Sequence, residues 1–369
     1  MKTEFGPNHP LAVRVWAKDL AREAMTRTWL NRFMGESEDS LVQVKTELRK
    51  GAGDQITAGL KMQLLGDGIL GDATLEGNEE ALQFADDAIR IDQLRHATRT
   101  KGRMTEQRVP YNLRRESRDS LADWWARRWD LIGALHMTGY TPANADPGLT
   151  GANTILAPSS GRIIRAGGRA TDEALTSADV FTLTLLDLAK VQAKKSRLDA
   201  GNGNLLMPIR PIRVDGKDYY VAFLHDYQVH DLRQSQWWTE IQLAAMQGGD
   251  VRDNPIFSGA LGVYNGIVLH EWSRLPNGVN STTGAAVPNT KRAVLAGAQA
   301  LSVAFGSENS ETRFTWVEEM FDYGNQFGVA AGSIFGMKKN RFTPSDRSTT
   351  GQDFGTIVIS TYAADPVPA

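Results

Sequence analysis

The stretch Gln55-Ile56-Thr57-Ala58-Gly59-Leu60-Lys61-Met62-Gln63-Leu64-Leu65, followed by Gly66-Asp67-Gly68-Ile69-Leu70-Gly71-Asp72, decides how this chain is organised. Ile56, Ala58, Leu60, Met62 and Leu64 alternate with Thr57, Gly59, Lys61 and Gln63. A period of two predicts a strand with one apolar and one polar face. The return limb, Leu82 to Leu94, alternates too, but its phase slips between the pair Leu82 and Phe84 and the pair Ile89 and Ile91. The slip falls at Asp86-Asp87 and predicts a bulge that turns the limb over. Together the limbs make a long hairpin within an excursion from Leu41 to about Pro110. No local helix covers its apolar faces, so the missing surface is expected from another copy of the same chain.

On the N-terminal side, Val13, Trp16, Leu20 and Ala24 recur at helical spacing, with Leu30 and Phe33 on a neighbouring arc. Pro10 and Gly35 bracket a helix from Leu11 to Met34. On the C-terminal side the strongest helical pattern runs from about Asn112 to Thr138. Leu113, Leu121, Trp125, Trp129, Ile132 and His136 line one face, and Arg115, Arg118, Asp119, Arg127 and Asp130 the other. Gly139 ends this helix and Pro142 prevents its resumption. Its length would be roughly 40 Å, enough to brace a domain.

Further on, residues 141–169 read as loop and Ser177 to Lys195 as a helix. Leu205 to Val214 and Lys217 to His225 form a hairpin about Asp215-Gly216. Pro208 and Pro211 put its first strand at an edge. Asp231 to Gln247 is another helix, stopped by Gly248-Gly249. A polar loop from Pro276 to Asn289 precedes a β-rich final third that closes with Thr356 to Tyr362. Helices and strands interleave without regular βαβ alternation, which makes the class α+β.

The chain has 369 residues, more than one compact core usually holds, so two subdomains are expected. An apolar content of 41% argues against disorder. The 41 basic and 43 acidic residues leave a net charge of −2, without the basic excess that a strong grip on nucleic acid requires. There is no cysteine, which excludes disulfides, thiolate nucleophiles and thiolate metal sites together. Residues 1–10 lack the apolar core of a secretory signal, and no apolar run reaches the ~18 residues of a spanning helix. The chain is expected to be made and first used in the cytoplasm, with no membrane partner.

Gly66, Gly68 and Gly71 match G-x-G-x-x-G after a strand, and Asp92 follows about 20 residues on, as a dinucleotide fold asks. However, the strand is half exposed, where a central parallel strand is apolar on both faces. Asp67 and Asp72 would repel a pyrophosphate. Gly77 would weaken the first turns of the phosphate-binding helix. A flexible hairpin tip accounts for the glycines, and a nucleotide-binding enzyme remains as an alternative.

His225, His230, Asp231 and His270-Glu271 suggest a metal site only superficially. The His-x-x-x-x-His spacing suits neither a helical nor a strand face, and structural histidines are expected. In Gly332-Ser333-Ile334-Phe335-Gly336 the serine comes one place too early for a nucleophile elbow. Glu318 and Glu319 are adjacent, so on a strand they point to opposite faces. Trp124, Trp125 and Trp129 fall on a periodic helix and read as core. No catalytic residue, cofactor site or metal site is expected.

One pattern is stronger. From Asp67 to Asp92 there are eight acidic residues (Asp67, Asp72, Glu76, Glu79, Glu80, Asp86, Asp87, Asp92) against one basic, Arg90. From Gln93 to Arg108 there are five basic (Arg95, Arg99, Lys101, Arg103, Arg108) against one acidic, Glu106. A solvated surface is one explanation. The other is complementarity between subunits, acidic tip against basic base, which fixes register and needs no net charge. The contact residues expected on that reading are Gly66, Asp67, Gly68, Gly71, Asp72, Glu76, Glu79 and Glu80 at the tip. At the base they are Arg95, Arg99, Lys101 and Arg103.

An arm helix, a projecting hairpin, a long spine helix and two interwoven α/β regions resemble, in that order, the Hong Kong 97-type capsid fold. The wording is more specific. The run from Gly66-Asp67-Gly68 through Gly71-Asp72-Ala73-Thr74-Leu75-Glu76-Gly77-Asn78-Glu79 is similar to one major capsid family of tailed double-stranded-DNA phages. The same holds for Ile91-Asp92-Gln93-Leu94-Arg95-His96, Asp123-Trp124-Trp125, Asn254-Pro255-Ile256-Phe257-Ser258-Gly259-Ala260-Leu261-Gly262 and Asp322-Tyr323-Gly324-Asn325. The branch is typified by podoviruses that package a giant virion RNA polymerase.

The resemblance implies an N-terminal arm over residues 1–40, an extended hairpin (E-loop) over 41–110, and interwoven peripheral and axial domains over 111–369. It implies a structural subunit, not an enzyme, without cofactors. Hexamers and pentamers of it would tile an icosahedral shell around double-stranded DNA, contacted weakly and non-specifically. A precursor shell would form in the host cytoplasm and expand during packaging. A portal is implied, and the lack of a long helix ahead of the arm points to a separate scaffolding protein. The Lys–Asn cross-link of some relatives matches no residues here. A cellular nanocompartment shell of the encapsulin type is the alternative on the same fold.

Overall fold

The long helix forms where its pattern places it, at Leu113–Thr138. The Asn112 side chain accepts from the backbone N–H groups of Arg114 and Arg115, and Gly139 ends the helix in the left-handed region at φ 60°. The structure, a computed structural model, describes residues 10–46, 53–61, 68–71, 74–79, 82, 84–141, 151–195, 208–214, 216–235, 238, 260–306, 313–344 and 351–367.

Leu121, Trp125, Trp129, Ile132 and His136 are buried as expected, but so is Asp130, assigned above to the solvent face. Its carboxylate accepts from the backbone N–H groups of Trp29 (3.0 Å) and Leu30 (3.1 Å). It thereby caps the 3-10 turn Trp29–Phe33, into which the chain passes after the α-helix Pro10–Arg27 ends, short of Met34. Burial lifts the Asp130 carboxyl above the usual carboxylate range, and the two backbone donors oppose that rise.

Gln326–Lys339 is the hub of the first sheet. It pairs antiparallel with Leu301–Phe305, Thr315–Phe321 and Asp92–Arg99, and Leu301–Phe305 continues in parallel to Val42–Lys45. Gly336 on this hub passes beneath the hairpin's root, where a Cβ would lie 1.9 Å from the Arg90 carbonyl oxygen.

The second sheet runs in the order Ile163–Arg165, Thr356–Tyr362, Thr290–Ala296, Lys217–Leu224, Ile267–Glu271, Gly262–Tyr264. Tyr220 to Leu224 are buried without alternation, because both faces of this strand are covered. Val221 and Phe223 join the core around the long helix. Tyr220, Ala222 and Leu224 pack with the helices Leu183–Lys194 and Asp226–Gln234.

Several boundaries move for local reasons. The Asp179 carboxylate accepts from the Thr176 N–H at 2.8 Å and holds a turn, so the helix expected from Ser177 starts at Leu183. The next begins at Asp226 rather than Asp231, because His225 caps it, and ends at Gln234. Residues 236, 237 and 239–247 of the helix expected there lie outside the described residues. Of the strand drawn from Leu205, residues 205–207 lie outside the described residues and the described part is strand only over Ile212–Val214, hairpinned onto Lys217–Leu224 with Gly216 at φ 75°. The polar loop after Pro276 carries a ribbon, Gly278–Val279 against Ala286–Val287.

Candidate inter-subunit surface

Gln55–Lys61 and Phe84–Arg90 pair antiparallel in unbroken register, from Gln55 opposite Arg90 to Lys61 opposite Phe84. The bulge expected at Asp86-Asp87 is therefore absent. Ala85, Asp87 and Ile89 share a face with Leu60, Ala58 and Ile56, while Leu82 and Phe84 are exposed. Asp87 holds an apolar-phase position because Lys338 ion-pairs with it and the Arg341 backbone N–H donates to it at 3.0 Å. An aspartate where the pattern asks for an apolar residue looks like a slip in sequence. Burial pushes the Asp87 carboxyl upward, and Lys338 pulls against it. The real break is at Ile91, whose N–H donates to the Asp54 carbonyl, before Asp92–Arg99 joins the first sheet.

Nor is the hairpin's root left uncovered, as its pattern implied. Arg341–Pro344 pairs with the return strand. Phe342 and Phe354 pack with Ala85, Ala58 and Leu60, and Ile56 and Ile89 with Ala304. This cover arrives from far along the chain, where no local pattern could announce it. The Asn153 side chain also accepts from the Arg90 N–H (2.9 Å) and donates to its carbonyl (2.8 Å), imitating a strand partner. The uncovered apolar surface is distal: Leu70 is 90% exposed and Leu75 is 61% exposed.

Of the expected contact residues, Gly66, Asp67, Asp72 and Glu80 lie outside the described residues. Gly68 (φ 71°) and Gly71 (φ 66°) take the left-handed conformation. The described part of 68–79 is turn and coil, without the helix a phosphate site would need. Glu76 and Glu79 are exposed, and Glu79 accepts from the Gly77 N–H at 2.8 Å.

At the base, Arg95 lies opposite Gly332 and Arg99 opposite Gly328. The Arg99 guanidinium sits 4.1 Å from the centre of the Phe321 ring. The Gln326 side-chain amide donates to the Lys101 carbonyl (3.3 Å), and the Arg103 Nε to the Gly324 carbonyl (3.3 Å). Arg99, Lys101 and Arg103 thus gather around the turn Asp322–Asn325, with Arg95 further along the strand. Within one chain, the described Glu76 and Glu79 form no ion pair with any of these.

Of the candidate histidines, His270 and His225 are held inside the fold, and His230 is exposed. His270 is buried among the rings of Trp29 and Phe33. The His225 Nδ1 accepts from the Tyr227 N–H at 3.2 Å, while Gln228 closes a capping box. Burial, and then nearby Lys291, pushes the His225 pKa down to about 4. The folded state then binds fewer protons than the unfolded chain between pH ~6.5 and that value, so its stability is complete above pH ~6.5 and falls as pH drops through this window. The full loss attributable to His225 is roughly 3 kcal/mol. His225→Asn keeps a capping side chain and should flatten this dependence, which urea unfolding of the unassembled subunit at pH 7 and pH 4.5 will measure. Equal slopes for the two proteins would exclude His225 as the source.

Ser333 donates to the Arg313 carbonyl at 2.7 Å, inside the first sheet. Glu318 is buried and accepts from the Arg114 Nε and Nη2, each at 2.7 Å, while Glu319 faces outward. Among the described residues, no group of three or more His, Asp or Glu could hold a metal ion.

A family model described as "Phage capsid protein" matches residues 4–365. The major capsid protein of Pseudomonas phage KPP25 is 33% identical over 379 aligned positions, covering 95% of this chain and 94% of its own length. The capsid of Ralstonia phage GP4 superposes with a TM-score of 0.78 at 32% identity, over 100% of this chain and 97% of that one. The cyanophage Pam1 capsid, at 20% identity, gives a TM-score of 0.68 over 99% and 97% of the two chains, a likeness of fold.

Proposed function

This chain belongs to the phage capsid protein family, and from that premise we propose how its surfaces serve the shell. It is a major capsid protein of Hong Kong 97-type fold that assembles with copies of itself into the capsomers of a phage head. Its relatives named above are phage capsids, neither nanocompartment shells nor enzymes. On our reading the acidic tip of the hairpin, Gly66, Asp67, Gly68, Gly71, Asp72, Glu76, Glu79 and Glu80, meets the basic base, Arg95, Arg99, Lys101 and Arg103, of a neighbouring copy. The observation that supports this is exposed Leu70 and Leu75 on a carboxylate-rich tip whose described carboxylates, Glu76 and Glu79, form no ion pair among the described residues. Residues 1–40 would act as the arm, 41–110 as the extended loop and 111–369 as peripheral and axial domains. A separate scaffolding protein and a portal are the proposed partners in the host cytoplasm. A net charge of −2 suits weak, non-specific contact with packaged DNA and a purely structural role.

Deleting Leu65 to Thr74 tests this. The described residues of that segment are exposed apart from half-buried Ile69, and none of them belongs to a core cluster. The variant should stay soluble, with unchanged circular dichroism and melting temperature, yet give no closed shells by negative-stain microscopy. Normal shells would refute the proposed contact, and loss of the folded subunit would show that the tip belongs to the core.

A further inference from the structure

The hairpin between Thr315–Phe321 and Gln326–Lys339 closes through Asp322-Tyr323-Gly324-Asn325, with Phe321 opposite Gln326. Three successive residues have positive φ: Asp322 51°, Tyr323 49° and Gly324 81°. For an aspartate and above all a tyrosine this is strained, about 1–2 kcal/mol per residue. An Asn-Gly pair would close a hairpin without it. Yet the turn is held firmly, and partly from outside. The Asn325 N–H donates to the Asp322 carbonyl (2.9 Å), and the Asn325 side chain donates to the Asp322 carboxylate (3.2 Å). From a remote segment, the Arg103 N–H donates to the Asn325 side-chain oxygen (3.2 Å) and the Arg103 Nε to the Gly324 carbonyl. The residue presented by all this is Tyr323, whose relative exposure is 110%. Met104 and Met320, next to the two segments that form the lock, are also exposed.

A strained, hydrogen-bonded turn that displays an aromatic ring to water, with exposed methionines on its flanking segments and the Arg99 and Arg103 guanidiniums beside it, gives that ring nothing to pack on among the described residues of one subunit. Aromatic side chains fixed in advance lose little entropy on binding, and they dominate the energetics of interfaces. We propose that Tyr323 is a preformed anchor that docks against the hairpin tip of a second copy of this chain. Its ring packs on Leu70 and Leu75, and the surrounding cations face Glu76 and Glu79. Charge complementarity selects this occupant: among the described residues, the tip joins exposed Leu70 and Leu75 to carboxylates without an ion pair, and the anchor joins exposed apolar side chains to cations without one. The inference rests on the tip-to-base contact proposed above and adds the apolar centre that a contact made of exposed ion pairs lacks.

The test is made on shells assembled from the full-length chain. Tyr323 is replaced by photoreactive benzoyl-phenylalanine, which keeps an aromatic ring, in shells mixed from isotopically heavy and light subunits. Irradiation should join position 323 to a peptide within residues 68–82, in heavy–light pairs. A cross-link to any other surface, or only within one chain, overturns the proposal. In parallel, Tyr323→Ala should raise the protein concentration needed for assembly roughly tenfold or more, while Tyr323→Phe assembles normally. Unaltered assembly of the Ala variant would also overturn it, and so would failure of the photoreactive subunit to assemble where Tyr323→Ala succeeds. If shells form without the tip, the contact itself is wrong; if they need the tip but position 323 reacts elsewhere, only the anchor is wrong.

Discussion

Trp125→Ala should destabilise the subunit by about 3–5 kcal/mol. The indole is 0% exposed on the core face of Leu113–Thr138. Its ring meets Phe314 edge-on at 5.1 Å, Trp129 at 6.1 Å and Phe335 at 6.1 Å. These neighbours come from the helix and from the first sheet, so truncation opens a cavity between the two layers it joins. The collapse that would relieve such a cavity is blocked by a 26-residue helix whose far end is fixed in the second sheet. Trp125→Phe should cost far less than the alanine change. It keeps an aromatic packing surface, and it removes a buried Nε1–H that has no acceptor among the described residues. Thermal unfolding of the unassembled subunit measures both. A melting temperature unchanged in the alanine variant would mean that this face does not carry the core.

Periodicity exposed the parts that are built locally. The spine helix was legible to within a residue, because its cap, apolar stripe and stop signal are all contained between Asn112 and Gly139. The described part of the hairpin's first limb, Gln55–Lys61, was legible for the same reason, while residues 62–65 of that limb lie outside the described residues. What sequence concealed lay where a charge occupies a core position and its partner sits remotely. Asp87 read as a break in a strand, because Lys338 is 251 residues away. Asp130 read as solvated, because the N–H groups it caps lie 101 and 100 residues earlier in the chain. Phe342 and Phe354 could not be seen covering the hairpin, so its root was assigned to a neighbour. Of the proposed contact surface, the charge segregation was readable from composition alone, whereas the Tyr323 turn was not. Its signal, a tyrosine ahead of Gly-Asn between two strand patterns, becomes meaningful only once the backbone shows φ of 49°.

The same logic gives the second large effect, at a buried charge cluster that joins the spine helix to the second sheet. Asp172 accepts from Arg292 (Nη2 at 2.7 Å, Nε at 3.0 Å), from the Arg165 Nε at 2.7 Å and from the Val279 N–H at 3.1 Å. Arg292 also donates to the carbonyls of Thr138 (3.3 Å) and Gly139 (3.1 Å), placing a cation on the negative end of the helix. Burial works against the Asp172 charge, but Arg292 and Arg165 outweigh it and hold its carboxyl below the usual carboxylate range. Its contribution is therefore intact at neutral pH and is lost only as pH falls below the unfolded carboxylate value near ~3.9. Asp172→Ala strands a guanidinium that cannot reach water and should cost about 3–5 kcal/mol. Arg292→Met strands the carboxylate less severely, because Arg165 and the Val279 N–H remain. The double variant removes both buried charges, so its loss should fall short of the summed single losses by up to ~3 kcal/mol. Urea unfolding of the four proteins closes that cycle. Additive losses would mean that the two residues stabilise the weld independently, and that the helix end is held by its backbone contacts rather than by the pair.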